Sequence, residues 1–178
     1  GDKFKREPMK KYTIAGGKHD FKPSDSFGLS NPLARDVSFR VKFGADCNYV
    51  LPGEDQNDWN KGGGFSFSLF SNTKEAIMWA WRWNPTLQRI QRCAYWHVKG
   101  QAFYAETKND FPFAVALEQE FTVRIYKPGT KWHVLFQTID GTKHIETSAQ
   151  GRPIRPVGLW FGGNRPAPRA MTVFIEKL

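Results

Sequence analysis

The chain has 178 residues, of which 40% are hydrophobic and 15% aromatic, a composition that excludes a disordered chain and is enough to bury a real core. Lys plus Arg number 26 against 17 Asp plus Glu, and the net charge of +9 favours an acidic partner: nucleic acid, an anionic glycan or an anionic membrane surface. No run of about 18 apolar residues exists, so no transmembrane helix is expected, and no apolar signal region opens the sequence.

The predicted elements follow in chain order. Residues 1–10, "GDKFKREPMK", are polar and basic and are expected to form a flexible N-terminal segment. A single β-sandwich domain is expected over residues 11–178, opening on an early strand, "KYTIA". Residues 18–35 read as irregular. "VSFRVKF" then alternates Val37, Phe39, Val41 and Phe43 with Ser38, Arg40 and Lys42, as a half-buried strand does. A second irregular stretch covers residues 45–64, and long loops of this kind often carry function. "FSFSLF" predicts a strand with Phe65, Phe67 and Leu69 on one side. "IMWAWRWNP" follows, then a turn at "NPTLQ", then "QRIQRCAYWHV". "EFTVRIYK" and "KWHVLFQT" alternate in the same way, separated by a "KPGTK" turn and followed by "IDGTK". "VGLWFGG" and "MTVFIEKL" close the chain around a proline-bearing loop, "GGNRPAPRA". Many short strands separated by turns predict an all-β sandwich or barrel.

The tryptophans pose the main question. Trp79, Trp81 and Trp83 lie two residues apart and so share one strand face with Ile77, while Met78, Ala80 and Arg82 take the other. Such a stripe reads either as core or as a platform on which sugar rings stack, since buried indole N–H groups need partners. On the next strand, Arg89, Gln91, Cys93, Tyr95 and His97 form a polar row, and Ile90, Ala94, Trp96 and Val98 share the opposite face with Arg92. If "NPTLQ" is the turn, the two strands are antiparallel, and the tryptophan stripe and the polar row are expected together on one concave surface. The ligand-binding candidates are therefore Trp79, Trp81, Trp83, Arg89 and Gln91, flanked by Arg82 and Trp59.

The run "GGGFSFSLFSNTKEAIMWAWRWNP" and the C-terminal "VGLWFGGNRPAPRAMTVFIEKL" together resemble the concanavalin A-like jelly roll of legume lectins, many glucanases and several polysaccharide lyases. The resemblance implies a two-sheet antiparallel sandwich whose last strand pairs beside "KYTIA". It also implies a polysaccharide partner, which the net charge of +9 favours as acidic, and an extracytoplasmic location: secreted, periplasmic or cell-surface. The glucanase motif "ExDxxE" is absent, and the alginate-lyase motifs of the fold find no match in this sequence.

Three functions follow as expectations. The first is a carbohydrate-binding or lectin-like module using the concave sheet. The second is a polysaccharide lyase that cleaves a uronate-containing glycan by β-elimination, with His97 as base and Tyr95 as acid. The third is a structural or adhesion module that binds protein. A glycosidase needs two carboxylates across the scissile bond, and the acidic residues collect near strand ends, which disfavours hydrolysis. In "GEDQNDWN", Glu54, Asp55, Asn57, Asp58 and Asn60 offer oxygen donors, and Asp55, Asn57 and Asp58 are weak Ca²⁺ candidates without an EF-hand pattern. No other cofactor is expected. Cys47 and Cys93 permit one disulfide. Nucleic acid is a disfavoured partner, because the basic residues are dispersed and no nucleic-acid motif occurs.

Overall fold

A computed structural model describes residues 9–25, 34–105 and 114–178. The expected flexible segment 1–10 lies outside the described residues up to residue 8, and Lys10 already belongs to a strand. Among the described residues the strands are β1 (Lys10–Ile14), β2 (Asp36–Phe43), β3 (Asn60–Ser66), β4 (Ala76–Asn84), β5 (Arg89–Val98), β6 (Gln101–Ala105), β7 (Glu120–Tyr126), β8 (His133–Thr138), β9 (Gly141–Glu146), β10 (Arg155–Val157) and β11 (Met171–Lys177). They form a six-stranded sheet in the order β1-β11-β2-β7-β8-β9 and a five-stranded sheet in the order β10-β3-β4-β5-β6. Every pairing between these strands is antiparallel. The fold is the jelly-roll sandwich the sequence predicts, and the last strand lies beside the first. Among the described residues no helix is long and apolar enough to cross a membrane.

Alternation builds both inner faces. On β7, Phe121, Val123 and Ile125 are buried while Thr122, Arg124 and Tyr126 are only partly so. Trp132, Val134 and Phe136 point inward around β8, as their spacing predicts. Three segments differ from expectation. Residues 60–64 are strand rather than loop, and β3 ends at Ser66, so Leu69 lies exposed beyond it. The cause is a bulge between Lys61 and Gly63, which breaks the period of two that marks a strand in sequence. "VGLWFGG" is not one strand. β10 stops at Val157, and Trp160 makes isolated bridges to Asp20 and Lys61. Residues 53–57 form a short 3-10 helix inside the stretch read as irregular.

The tryptophan stripe is core. Trp79, Trp81 and Trp83 are 1%, 0% and 4% exposed and belong to the main core cluster, and Trp79 and Trp81 meet the six-stranded sheet. Trp79 sits edge-on to Phe121 and Phe136, with ring centroids at 5.7 and 6.4 Å, and Trp81 lies 4.8 Å from Phe43. Burying an indole in this way contributes about 4–6 kcal/mol by the area it removes from water. The stacking-platform role of Trp79, Trp81 and Trp83 is thereby corrected: no sugar reaches them. Gly62 makes room for the stripe, because a Cβ there would stand 2.2 Å from Trp79 Cε2. Arg92 shares this inner layer at 1% exposure, its guanidinium 4.4 Å from the Phe121 ring centroid. Cys47 and Cys93 are separate buried thiols, not a disulfide.

Candidate functional site

Register decides what the outer face of the five-stranded sheet carries. Asn84 accepts hydrogen bonds from the backbone N–H groups of Thr86 and Leu87, both at 3.0 Å, and so shapes the β4–β5 turn as an Asx turn. That turn sets Asn84 opposite Arg89, Arg82 opposite Gln91, Ala80 opposite Cys93, Met78 opposite Tyr95 and Ala76 opposite His97. The polar row therefore shares its face with Met78, Ala80 and Arg82. The expectation that it joins the tryptophan stripe on one surface is overturned, because facing residues of an antiparallel pair lie on one side. A second turn, Lys99-Gly100, has φ values of 51° and 79° and closes the β5–β6 hairpin. It sets Tyr104 opposite Tyr95 and Ala102 opposite His97. On the other flank, β3 contributes Lys61 opposite Ala80, and β10 contributes Arg155 opposite Ser66.

The face has a packed floor and a polar surface. Ala76, Met78 and Val157 form a small buried cluster on which Tyr95 packs. Tyr95 stacks on Tyr104 with a centroid distance of 6.2 Å and meets His97 edge-on at 5.4 Å. Tyr104 is 56% exposed, and His97 is 6% exposed. His97 Nδ1 is buried without a hydrogen-bond partner among the described residues. Arg82 Nε donates to Gln91 Oε1 at 3.0 Å and its Nη1 donates to the Asn57 carbonyl, while its guanidinium lies 4.1 Å from the Trp59 ring centroid. Trp59 in turn stands 6.5 Å from Tyr104, so Arg82, Gln91, Trp59, Tyr104, Tyr95 and His97 form one continuous patch. Arg89 lies at its far end.

Burial and neighbouring charge fix the protonation states here. Desolvation, reinforced by the Lys61 ammonium, holds the His97 imidazole below its ordinary value, so it is neutral at pH 7. Desolvation pushes the Tyr95 phenol up, helped by the negative forms of Cys93, Tyr104 and Asp58, so it stays protonated. Lys61 is itself lowered by burial. The patch thus pairs a proton acceptor with a proton donor beside a cation.

The Ca²⁺ candidates do not assemble. Asp55 accepts from Arg165 Nε at 2.7 Å, and Glu54 accepts from Asn57. Asn60 is buried, donates to the Tyr49 hydroxyl and accepts from the Gly162 N–H. Among the described residues no group of three or more His, Cys, Asp or Glu is placed to hold a metal. Asp55, Asn57 and Asp58 are corrected to a structured loop, which meets the patch through the Asn57 main-chain carbonyl.

Sequence reasoning missed Lys61, Tyr104, Arg155 and Trp160. Lys61 was hidden by the bulge beside it. Tyr104 carries a usable signal, the Lys-Gly turn that sets its strand in register with β5. Trp160 is 40% exposed and stacks on His19 at 5.2 Å, beside Lys61. The accessible indoles near this face therefore come from a loop, Trp59, and an isolated bridge, Trp160, and not from the β4 stripe.

No family model and no curated protein matches the sequence. Solved structures do resemble the fold. The alginate lyase vAL-1 from Chlorella virus matches with a TM-score of 0.55 at 12% identity, covering 94% of this chain and 81% of that one. An alginate lyase from Klebsiella pneumoniae matches with a TM-score of 0.55 at 12% identity, covering 80% of this chain and 58% of that one. At such identity the likeness establishes the fold.

Proposed function

We propose that the outer face of the five-stranded sheet binds an acidic polysaccharide and cleaves it by β-elimination. The observation that carries this reading is the juxtaposition of a neutral His97 and a protonated Tyr95 on one face, beside the Lys61 cation. β-Elimination at a uronate needs those three roles. A base removes the proton α to the carboxylate, an acid protonates the leaving glycosidic oxygen, and a cation holds the carboxylate as charge develops on it. The C–O bond breaks as the C=C bond forms, and no water is consumed. His97 takes the base role, Tyr95 the acid role, and Lys61 with Arg82 and Gln91 the carboxylate. Trp59 and Tyr104 offer rings for the apolar faces of sugars, and Arg89 extends the binding surface. The two alginate lyases that share the fold support the same substrate class. Polysaccharide chemistry of this kind fits an extracytoplasmic setting.

Two variants test the roles. His97→Ala should lower turnover on an acidic polysaccharide by about 10²–10⁴-fold, as general-base loss does, with equilibrium binding largely kept. Tyr95→Phe should lower turnover in the same range with its KM little changed. Full turnover in both variants would refute the assignment. A second reading, binding without cleavage, is favoured by one fact: His97 is only 6% exposed. On that reading the wild type binds acidic glycan, releases no unsaturated product and keeps its affinity in His97→Ala.

A further inference from the structure

At the end of the sandwich where β7 leaves and β10 begins, a cavity of about 180 Å³ is lined by Ala34, Arg35, Lys127, Trp132, Gly151, Arg152 and Pro153. Three of these residues are cations, and no carboxylate lines it among the described residues. The backbone holds two of the cations in place. Arg35 Nη2 donates to the carbonyls of Lys127 and Gly129, at 3.1 and 3.0 Å. Lys127 Nζ donates to the Gln150 carbonyl at 2.7 Å. Carbonyl oxygens orient these groups without neutralising them. Asp36, the acid next in sequence to Arg35, forms a two-point ion pair with Arg124, at 2.9 and 2.7 Å. Burial, followed by the Arg35 and Arg152 charges, depresses Lys127, which agrees with a pocket that holds excess positive charge. The indole N–H of Trp132 bonds to the Gly151 carbonyl at 2.8 Å in the same wall.

We infer that Arg35, Lys127 and Arg152 form a second oxyanion site, separate from the polar patch, that takes a carboxylate, a sulfate ester or a free inorganic oxyanion. Guanidinium and ammonium groups lining a cavity with no acid among its described residues are suited to such a group through charge-assisted hydrogen bonds. Its placement suggests a use. Pro153 and Ile154 lead directly into β10, where Arg155 lies on the catalytic-patch side of the sheet. Because residues 151–153 line the cavity and lead into β10 at the sheet edge, the site would hold a charged group of an acidic chain that leaves the face over that edge. The site's existence does not depend on the elimination chemistry.

The test uses the Trp132 indole N–H resonance of the full chain, titrated with sodium sulfate and separately with polygalacturonate oligomers at constant ionic strength. A saturable shift with sulfate is expected, weakened about ten- to a hundredfold in Arg152→Ala, as loss of a hydrogen bond to a charged group implies. Arg152 is exposed, so this variant leaves the fold intact. Lys127→Met should act in the same direction. A matching shift with the oligomers identifies the glycan as the source of the anion, and a shift with sulfate alone identifies a free-oxyanion site. No saturable shift with either probe, or a shift unchanged in Arg152→Ala, overturns the inference. His97→Ala should leave the sulfate shift intact, so failure of the site and failure of the elimination reading are told apart.

Discussion

Lys61 and His97 approach the same face from different strands, and their coupling has a measurable consequence. The folded His97 value is depressed, first by burial and then by Lys61. In the proposed base role, His97 is therefore mostly deprotonated at pH 6.5, and the acid limb of kcat/KM should lie below that value. Lys61→Met removes the second cause and should move the limb upward, toward 6.5, as well as raising KM for an acidic substrate. An unmoved limb would remove Lys61 from the electrostatics of the site. The same depression links to stability. Below pH 6.5 the unfolded chain binds a proton that the native His97 refuses, so this contribution is complete above pH 6.5 and is lost as pH falls through the folded value. Denaturant midpoints measured from pH 7 to pH 5 should show a shallower decline in His97→Gln. At this scale the sequence was informative about β5: period two put Arg89, Gln91, Tyr95 and His97 on one face, and the register keeps them there. It was silent about Lys61, whose alternation is broken by the bulge.

At the scale of the element, β4 explains why the tryptophan question had no answer in sequence. Trp79 and Trp81 are buried against the other sheet, yet Ala76, Met78 and Ala80 on the opposite side are also at most 1% exposed. A strand covered on both faces carries no polar signal to say which side is inner. What distinguishes the sides is tertiary: Phe43, Phe121 and Phe136 supply partners for the indoles. Trp79→Ala should therefore cost about 3–5 kcal/mol by denaturant unfolding, whereas Trp59→Ala should leave stability nearly unchanged and weaken glycan binding. Equal stability losses in the two variants would contradict this division. Gly62→Ala belongs to the same account. The added methyl would overlap the Trp79 ring, and the strand or the indole must shift, so a loss of about 1–3 kcal/mol is expected. Unchanged stability would show that the β3 bulge absorbs the methyl freely.

For the molecule as a whole, the alternating strands and their turns made the sandwich legible, including the pairing of the last strand with the first. Less legible were the features made by chain segments distant in sequence. Trp160 reaches Lys61 across about a hundred residues, and the oxyanion cavity gathers residues from before β2, after β7 and before β10. No local period reports such encounters. The net charge of +9 spreads its effect over the whole surface. Binding of an acidic polymer should weaken steadily from low salt to about 0.5 M, as the screening length falls below about 10 Å. Salt-independent affinity would argue for a neutral glycan instead.

Elimination on the outer face of the five-stranded sheet is the proposed activity. Its most direct test is to incubate the wild-type chain with acidic and neutral polysaccharides and follow the ultraviolet absorbance of the unsaturated uronate. Absorbance should rise with a uronate-containing polymer, stay flat with neutral glycans, and no longer rise in His97→Ala at unchanged far-ultraviolet circular dichroism. Binding of the acidic polymer by folded wild type with no unsaturated product would contradict elimination.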